Sequence, residues 1–351
     1  MSEWKELSSI TSKIGSGLTP RGGNSVYTDN GISLIRSQNV LDMDFSTENL
    51  AYIDEVQAEK LKNVIVEKND ILLNITGDSI ARCTIVPEEI LPARVNQHVS
   101  IIRCKNTEQS KYVMYYLQYI KKYLLQISKV GGTRNALTKE AISKLPIKIS
   151  EDWNRISTIL DNIDRKIKIN NQINQELEAM AKTLYDYWFV QFDFPDQNGK
   201  PYKSSGGKMV YNPELKREIP EGWGVEKLGD ISQYVTEKVD SFELNIENYV
   251  GTDNMIADMG GIEFTTSIPQ SGTSTKFSVG DILISNIRPY FKKIWLSDRT
   301  GGCSADVLCI RTNRIIPKEF VYATLARDDF FNYDVAGSKG SKMPRGDKKH
   351  I

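Results

Sequence analysis

The chain has 351 residues, 40% of them hydrophobic and 26% charged, with 45 basic and 45 acidic side chains that cancel to a formal net charge of zero. That is enough chain for two domains with real cores and a connector. The balance neither demands nor excludes nucleic acid, because charge distribution decides that. No run of 18 apolar residues occurs, so no membrane span is expected, and Met1-Ser-Glu-Trp-Lys-Glu6 lacks the cationic start and apolar stretch of a signal peptide. Cys83, Cys104, Cys303 and Cys309 form no C-x-x-C pair. Reduced thiols and a cytoplasmic location follow as expectations.

Residues 1–150 are expected to form a first domain. Short β-branched runs bounded by Gly, Asn, Asp or Pro predict strands at 32–36, 71–75, 82–86 and 98–103. A helix follows over 110–127, with Tyr112, Tyr115, Tyr116, Tyr119 and Tyr123 at helical spacing. Such a stripe is expected to be core. Gly131-Gly-Thr-Arg134-Asn135 then makes a basic, glycine-rich loop.

Residues 151–194 are expected to be a long spacer helix. Ile156, Leu160, Ile163, Ile167, Asn170, Asn174, Leu177, Ala181, Leu184 and Trp188 alternate in steps of four and three. This is a coiled-coil seam of about 34 residues, roughly 50 Å long at 1.5 Å per residue. Asn170 and Asn174 interrupt it near the middle, where a buried asparagine fixes register and partner. Residues 195–222, rich in Gly, Pro, Ser and Lys, are expected to be a connector without a core of its own.

Residues 223–351 repeat the first domain. Asp70-Ile-Leu-Leu-Asn-Ile75 recurs as Asp281-Ile-Leu-Ile-Ser-Asn-Ile287, an offset of 211 from Asp70 to Asp281. Trp4…Leu7…Ile10 matches Trp223…Leu228…Ile231, and Val99-Ser-Ile-Ile-Arg103 matches Val307-Leu-Cys-Ile-Arg311. The helix at 110–127 matches 317–333, and Gly131–Arg134 matches the basic stretch Gly337–Lys342. A period this long is a domain duplication, not a solenoid. The expected fold class is α+β, with two homologous mixed α/β domains joined by a long coiled-coil helix.

No catalytic constellation is visible. His98 and His350 are the two histidines, no Cys/His cluster has zinc spacing, and no P-loop or G-x-G-x-x-G cradle appears. His98, in a predicted strand, is expected to be a satisfied polar residue. Asn286-Ile-Arg-Pro-Tyr290 resembles the Asn-Pro-Pro-Tyr element of adenine methyltransferases only superficially. Pro195-Asp196 with Glu214-Leu-Lys216 fits a loose nuclease pattern, but in a connector nothing would make those carboxylates converge on a metal.

Several stretches together resemble the specificity subunits of type I restriction-modification systems, over essentially the full length. They are Trp4…Leu7…Ile10 with Gly15-Ser-Gly-Leu-Thr-Pro20, Ile35-Arg-Ser-Gln-Asn-Val40, Asp70–Gly77 and Asn96-Gln-His-Val99. Strongest is the centre, Leu184-Tyr-Asp-Tyr-Trp-Phe-Val-Gln-Phe-Asp193 followed by Met209-Val-Tyr-Asn212 and Leu215-Lys-Arg-Glu-Ile-Pro-Glu-Gly-Trp223. The resemblance implies that 1–150 and 223–351 are target-recognition domains, each reading half of a split sequence in double-stranded DNA. It implies that the helix sets the spacing and docks methyltransferase subunits, through Ile156, Leu160, Ile163, Ile167, Asn170, Asn174, Leu177, Leu184 and Trp188. The chain itself would be non-catalytic and hold no cofactor. S-adenosylmethionine would belong to the adenine methyltransferase partners, and ATP with magnesium to a separate translocating nuclease.

Sequence is read by side chains that reach base edges, chiefly Arg to guanine and Asn or Gln to adenine, while Lys, Arg and Ser position the protein on phosphates. Candidates in the first domain are Thr19, Arg21, Arg36, Gln38, Asn39, Thr76, Arg82, Arg94, Asn96, Gln97, Arg134 and Asn135. In the second they are Asn286, Arg288, Tyr290, Lys292, Lys293, Lys339, Lys342 and Arg345. Subunits of this family carry a second long helix after the second domain, antiparallel to the first. Here the sequence ends at Ile351, before that segment. The expectation is a truncated or half subunit whose seam pairs with a second copy or with a chain supplying the missing helix. An inactive form acting only as a coiled-coil interaction protein is the alternative.

Overall fold

The computed structural model describes residues 3–20, 22–129, 135–313, 315–338, 340, 343–348 and 351. Two compact units divide at Asn174 and Gln175, within the long helix.

The first unit is built on two four-stranded sheets. One runs in the order Thr11–Ser16, Val99–Cys104, Ile71–Asn74, Cys83–Ile85, all antiparallel. The other runs Ala51–Ile53, Ile32–Ile35, Ala93–Val95, Ile65–Val66, with a parallel pair between Ile32–Ile35 and Ala93–Val95. The continuous apolar run Ile71-Leu-Leu73 follows from its place. Ile71 and Leu73 face a core with Ile102, Val113 and Leu117, while Leu72 faces another with Leu34, Ile53 and Ile101. A strand buried on both faces loses the polar alternation of a half-exposed one.

The second unit repeats the antiparallel sheet strand for strand, as Ser232–Tyr234, Val307–Thr312, Ile282–Ser285, Ile294–Leu296. Its other sheet keeps the parallel pair, Tyr249–Val250 beside Gly301–Cys303, followed by Thr273–Phe277, but adds Lys238–Asp240 at the edge opposite to Ala51–Ile53. Ile282 and Ile284 face one core and Leu283 the other, the same division as in the first unit.

Each unit locks its central strand with a buried fork. Arg103 donates to both oxygens of Asp70, at 2.8 Å from Nε and 2.8 Å from Nη2, and also pairs with Glu67. Arg311 does the same to Asp281, at 2.7 and 2.7 Å, and pairs with Glu237 at 2.9 Å. The second oxygen also caps the preceding turn, from Glu67 N at 2.7 Å and Ser278 N at 2.7 Å. The hydrogen-bonded carboxylate raises the guanidinium pKa above its ordinary value in both units, against burial, which would lower it.

The tyrosine stripe is only partly core. Tyr112 is buried, and Tyr112, Tyr115 and Tyr116 hydrogen-bond through their hydroxyls to Lys148 O, Asp164 and Pro146 O, whereas Tyr119 is 85% exposed. The helix also divides, into Ser110–Tyr119 and Lys121–Ile127.

The long helix spans Trp153–Tyr185 and is followed by a π-helical turn, Asp186–Val190, closed by Gln191 N on Asp186 O at 2.8 Å. The wider turn ends the heptad phase, so Trp188 leaves the expected seam and lies half-buried with its ring 6.3 Å from that of Phe189. Upstream, Ser157 is buried, Asp161 and Asp164 bond to Lys111 and Tyr115, and Leu160 is half-buried. Ile156, Ile163, Ile167, Leu177 and Leu184 are 39–56% exposed, and Asn170, Asn174 and Ala181 face solvent.

The stretch 195–222 departs from expectation. Met209–Asn212 and Arg217–Pro220 pair as a hairpin. Phe194 stacks between Tyr202 at 4.8 Å and Trp223 at 5.0 Å, Phe192 is buried against Trp223, and Arg217 covers Phe192 at 4.6 Å. Most of these rings lie just outside the Gly/Pro/Ser-rich run, so its composition hides the cluster. Asp196 caps its own turn, accepting from Asn198 N and Lys200 N at 2.8 Å each, and these backbone bonds lower its pKa.

Arg103→Ala leaves the Asp70 carboxylate buried without its fork, and is expected to destabilise the first unit by about 3–5 kcal/mol; equilibrium unfolding in urea measures this. All four cysteines are buried. Burial pushes the Cys83 thiol from 9.0 up to about 12, so within that window the unfolded chain releases a proton that the folded chain keeps. Stability therefore falls as pH rises from 9 toward 12. Cys83→Ala should lose less stability than the unmodified chain between pH 8 and pH 10 in the same assay.

Candidate nucleic-acid interface

Past the central strand of the first unit the chain turns sharply. Gly77 (φ +77°) and Ala81 (φ +66°) are both left-handed, and Ile80 N bonds to Gly77 O at 3.2 Å and Ala81 N to Asn74 O at 2.9 Å. A left-handed non-glycine costs about 1 kcal/mol or more, so the surroundings must hold it. They do so through buried asparagines. Asn74 Nδ2 donates to Ser37 O at 2.8 Å and Val40 O at 3.3 Å. Asn39 Oδ1 accepts from Arg36 N at 3.1 Å, and its Nδ2 donates to Ser46 O and Glu48 O. Asn96 Oδ1 accepts from His98 N at 3.0 Å.

Three loops thus fixed, with Asn135 and Ala136, line an open cavity of about 870 Å³ with Gln38, Thr76, Asp78, Arg82, His98 and Asn135 among its walls. His98 Nδ1 lies 2.5 Å from Thr76 Oγ1, and its Nε2 2.9 Å from Gln97 Nε2. With the Gln97 amide donating to Nε2, the ring proton sits on Nδ1 and bonds to the Thr76 oxygen. The Thr76 hydroxyl hydrogen then remains for a ligand. Arg82 and Asp78 enter no ion pair among the described residues. The cavity offers amide, hydroxyl and guanidinium groups, the types that read base edges. Among the described residues no His, Cys, Asp or Glu group could hold a metal ion.

The second unit rebuilds much of the same backbone frame, with Ser285 and Ser304 where the first has Asn74 and Asn96. Asn74 N to Arg82 O corresponds to Ser285 N to Lys293 O, and Ile75 N to His98 O corresponds to Asn286 N to Asp306 O. Asn254 repeats the Asn39 clamp, accepting from Gly251 N at 2.7 Å and donating to Tyr249 O and Glu263 O. The bridge of Thr76 with Ala136 recurs as Ile287 with Arg345. Arg288 (φ +52°) and Lys292 (φ +50°) take the places of Gly77 and Ala81. The side chains on this frame do not repeat. Gln38 becomes Asp253, Thr76 becomes Ile287, Arg82 becomes Lys293, His98 becomes Asp306 and Ala136 becomes Arg345.

Of the expected contact residues in the first unit, the cavity gathers Gln38, Thr76, Arg82 and Asn135, and Gln97 stands exposed beside His98. Thr19 is exposed outside the cavity lining. Arg36 lies over the Tyr27 ring at 5.6 Å and donates to Asn49 O. Asn39, Arg94 and Asn96 are corrected to scaffold: all three are buried, and Arg94 bonds to Ala58 O and Ala93 O. In the second unit Asn286 is buried, while Arg288 and Tyr290 are exposed. Lys292 is paired with Asp328 at 2.7 Å, Lys293 with Thr252 O at 2.7 Å, and Arg345 with Asp306 at 3.3 Å. Arg21, Arg134, Lys339 and Lys342 lie outside the described residues. Sequence reasoning missed His98, Asp78, Asp253 and Asp306 as site residues. Aligning Asn96-Gln-His-Val99 with Ser304-Ala-Asp-Val307 would have placed His98 against Asp306.

Residues 5–179 match the family model of the type I restriction modification DNA specificity domain. The chain is 34% identical over 146 residues to the MjaIX specificity subunit of Methanocaldococcus jannaschii, covering 40% of this chain and 31% of that one. It is 25% identical over 240 residues to the HindI specificity subunit of Haemophilus influenzae, covering 66% and 50%. It therefore spans half or less of the length of these relatives. The crystal structure of a type I restriction-modification S subunit from M. genitalium superposes with a TM-score of 0.54 at 13% identity, covering 95% of this chain and 79% of that one, which shows a shared fold. In sequence and in fold, the chain belongs to the specificity subunits of type I restriction-modification systems.

Proposed function

We propose that the chain is the DNA-reading subunit of a type I methylation and restriction complex and catalyses no step itself. Each unit reads one half of a split duplex site with the face built around its left-handed turn. The observation that carries this is the duplicated frame with unlike side chains. The backbone bonds at the strand ends and the clamp of Asn39 and Asn254 are kept in both units, while Asn74 and Asn96 give way to Ser285 and Ser304 and the positions that face outward differ in charge and hydrogen-bonding type. Two copies of one reader tuned to different half-sites need that division. Methylation of adenine and ATP-driven translocation are assigned to partner subunits that hold S-adenosylmethionine, ATP and magnesium.

The exposed face of the long helix is assigned to a partner helix. Ile163, Ile167, Leu177 and Leu184 make an apolar strip about half open to solvent, and such strips mark interfaces. A second reading, a coiled-coil interaction protein that reads no DNA, draws on this face alone and leaves the duplicated frame without a use.

The test is co-expression with a type I methyltransferase subunit and genome-wide mapping of N6-methyladenine. A split, asymmetric motif is expected, from two unlike readers. A palindromic split motif would mean that the first unit acts alone in a symmetric pair, and no methylation above a control lacking this chain would sink the DNA-reading assignment. Arg82→Ala should weaken binding to the mapped motif by about 1–3 kcal/mol without lowering the unfolding midpoint. For the helix, Ile163→Asp with Ile167→Asp should turn the associated species into monomers in sedimentation velocity. A monodisperse monomer of the unmodified chain would exclude self-pairing and leave a helix from another polypeptide.

A further inference from the structure

The loop Arg288-Pro-Tyr-Phe-Lys292 belongs to the frame of the second unit through its backbone, but its two aromatic side chains have no part in that frame. Its tip carries two adjacent exposed rings, Tyr290 at 48% and Phe291 at 38% exposure, with centroids 4.7 Å apart. Single exposed aromatic side chains are ordinary. This pair is held out by construction. Arg288 and Lys292, on either side, are both left-handed non-glycines, and buried Pro289 fixes the turn between them.

The turn is braced from three directions. Phe291 N and Lys292 N close it on Arg288 O and Pro289 O at 2.9 Å each. Asp258 N and Met259 N donate to Phe291 O and Lys292 O at 2.8 and 2.9 Å, and Arg288 N donates to Pro344 O at 2.8 Å. Lys292 is tied to Asp328 at 2.7 Å. One cationic group lies near the rings and another is exposed beside them in sequence. Lys293 Nζ sits 6.0 Å from the Phe291 ring centre, and Arg288 is exposed with no ion pair among the described residues.

The first unit supplies a comparison within the same molecule. Its equivalent loop has the same two left-handed ends, Gly77 and Ala81, and the same closing bond from Ile80 N. There the tip is polar. Ser79 stands where Tyr290 does, and Ile80, at the place of Phe291, is turned inward and 7% exposed. One frame therefore comes with a polar tip in one unit and an aromatic tip in the other.

We propose that Tyr290 and Phe291 form a stacking wedge that opens a base step of duplex DNA in the half-site read by the second unit, while the first unit reads its half-site without one. This rests on the DNA-reading assignment above. Rings stack on any base face, so a wedge contributes affinity and a preference for easily unstacked steps rather than for particular hydrogen-bonding edges. A braced loop suits the task, because little ordering remains to be done on binding. The exposed guanidinium of Arg288, two residues before Tyr290, suits a phosphate next to an opened step.

The experiment uses the full chain assembled with its methyltransferase subunit, and duplexes of the mapped motif with 2-aminopurine placed singly across each half-site, away from the methylated adenine. The variant is Tyr290→Ser with Phe291→Ile, which installs the side chains that the same frame carries in the first unit. The unmodified complex is expected to raise the fluorescence at one step of the second half-site and at none of the first. The variant should lose that rise and bind the motif about tenfold more weakly, with assembly unchanged. Tyr290→Ala alone should give part of both losses. A rise that survives in the variant overturns the wedge, as does loss of assembly with the methyltransferase subunit, which would make the rings a protein contact. Failure of the unmodified complex to bind the motif at all would instead overturn DNA reading itself.

Discussion

The Arg–Asp fork at the base of each central strand is the constraint on which both units depend. Ile71–Asn74 and Ile282–Ser285 are buried on both faces. A strand apolar on both faces lacks the polar alternation that would otherwise help to fix its register. Asp70 and Asp281 fix it instead. Each carboxylate receives a two-pronged guanidinium from the neighbouring strand and a backbone N–H from the turn before it, so strand, neighbour and turn share one register. An ion pair of this kind adds little net stability beside an apolar substitute, because desolvation offsets most of the attraction. What it supplies is position.

Position matters because the candidate surface lies at the far end of the same strands. From Asp70 the strand runs to Asn74, whose amide holds the loop of Ser37–Val40. The backbone of Ile75 then meets His98 O, which carries the His98 side chain to Thr76. A slip of one residue would turn Thr76 away and reverse every side chain on the strand. Since the frame is set by backbone groups and buried side chains, outward positions are free to change without disturbing it. The pairs Arg82/Lys293, His98/Asp306 and Ala136/Arg345 show how far they have changed inside one molecule.

This separation also explains what the sequence could convey. The duplication, the central strands and the long helix were legible, because apolar periodicity and the Asp-Ile-Leu anchor are written locally. The role of Asn39, Arg94 and Asn96 was not. Their residue types suit base contacts, and only tertiary placement shows their amide or guanidinium groups bound to backbone carbonyls and N–H groups. The converse error concerns His98, expected to be merely satisfied. It is satisfied, by Thr76 and Gln97, and it also lines the cavity. The heptad count overran at Trp188 for a similar reason, since a π turn changes the residue angle without any Gly or Pro to announce it.

The long helix presents the reverse situation, with a pattern legible as far as Leu184 and a face open to solvent. Residues 169–184 are exposed throughout. A helical segment of that length with no packed face is marginal in water, because tertiary contact supplies most helical stability in proteins. Its seam is interrupted by Asn170 and Asn174, which in solvent discriminate nothing and in a buried interface would select register and partner. Under the proposed function the helix sets the separation of two half-sites, and a marginal helix cannot hold a distance. The partner that covers the seam would thus have two consequences at once, removing apolar surface from water and stiffening the segment whose length is read out on DNA.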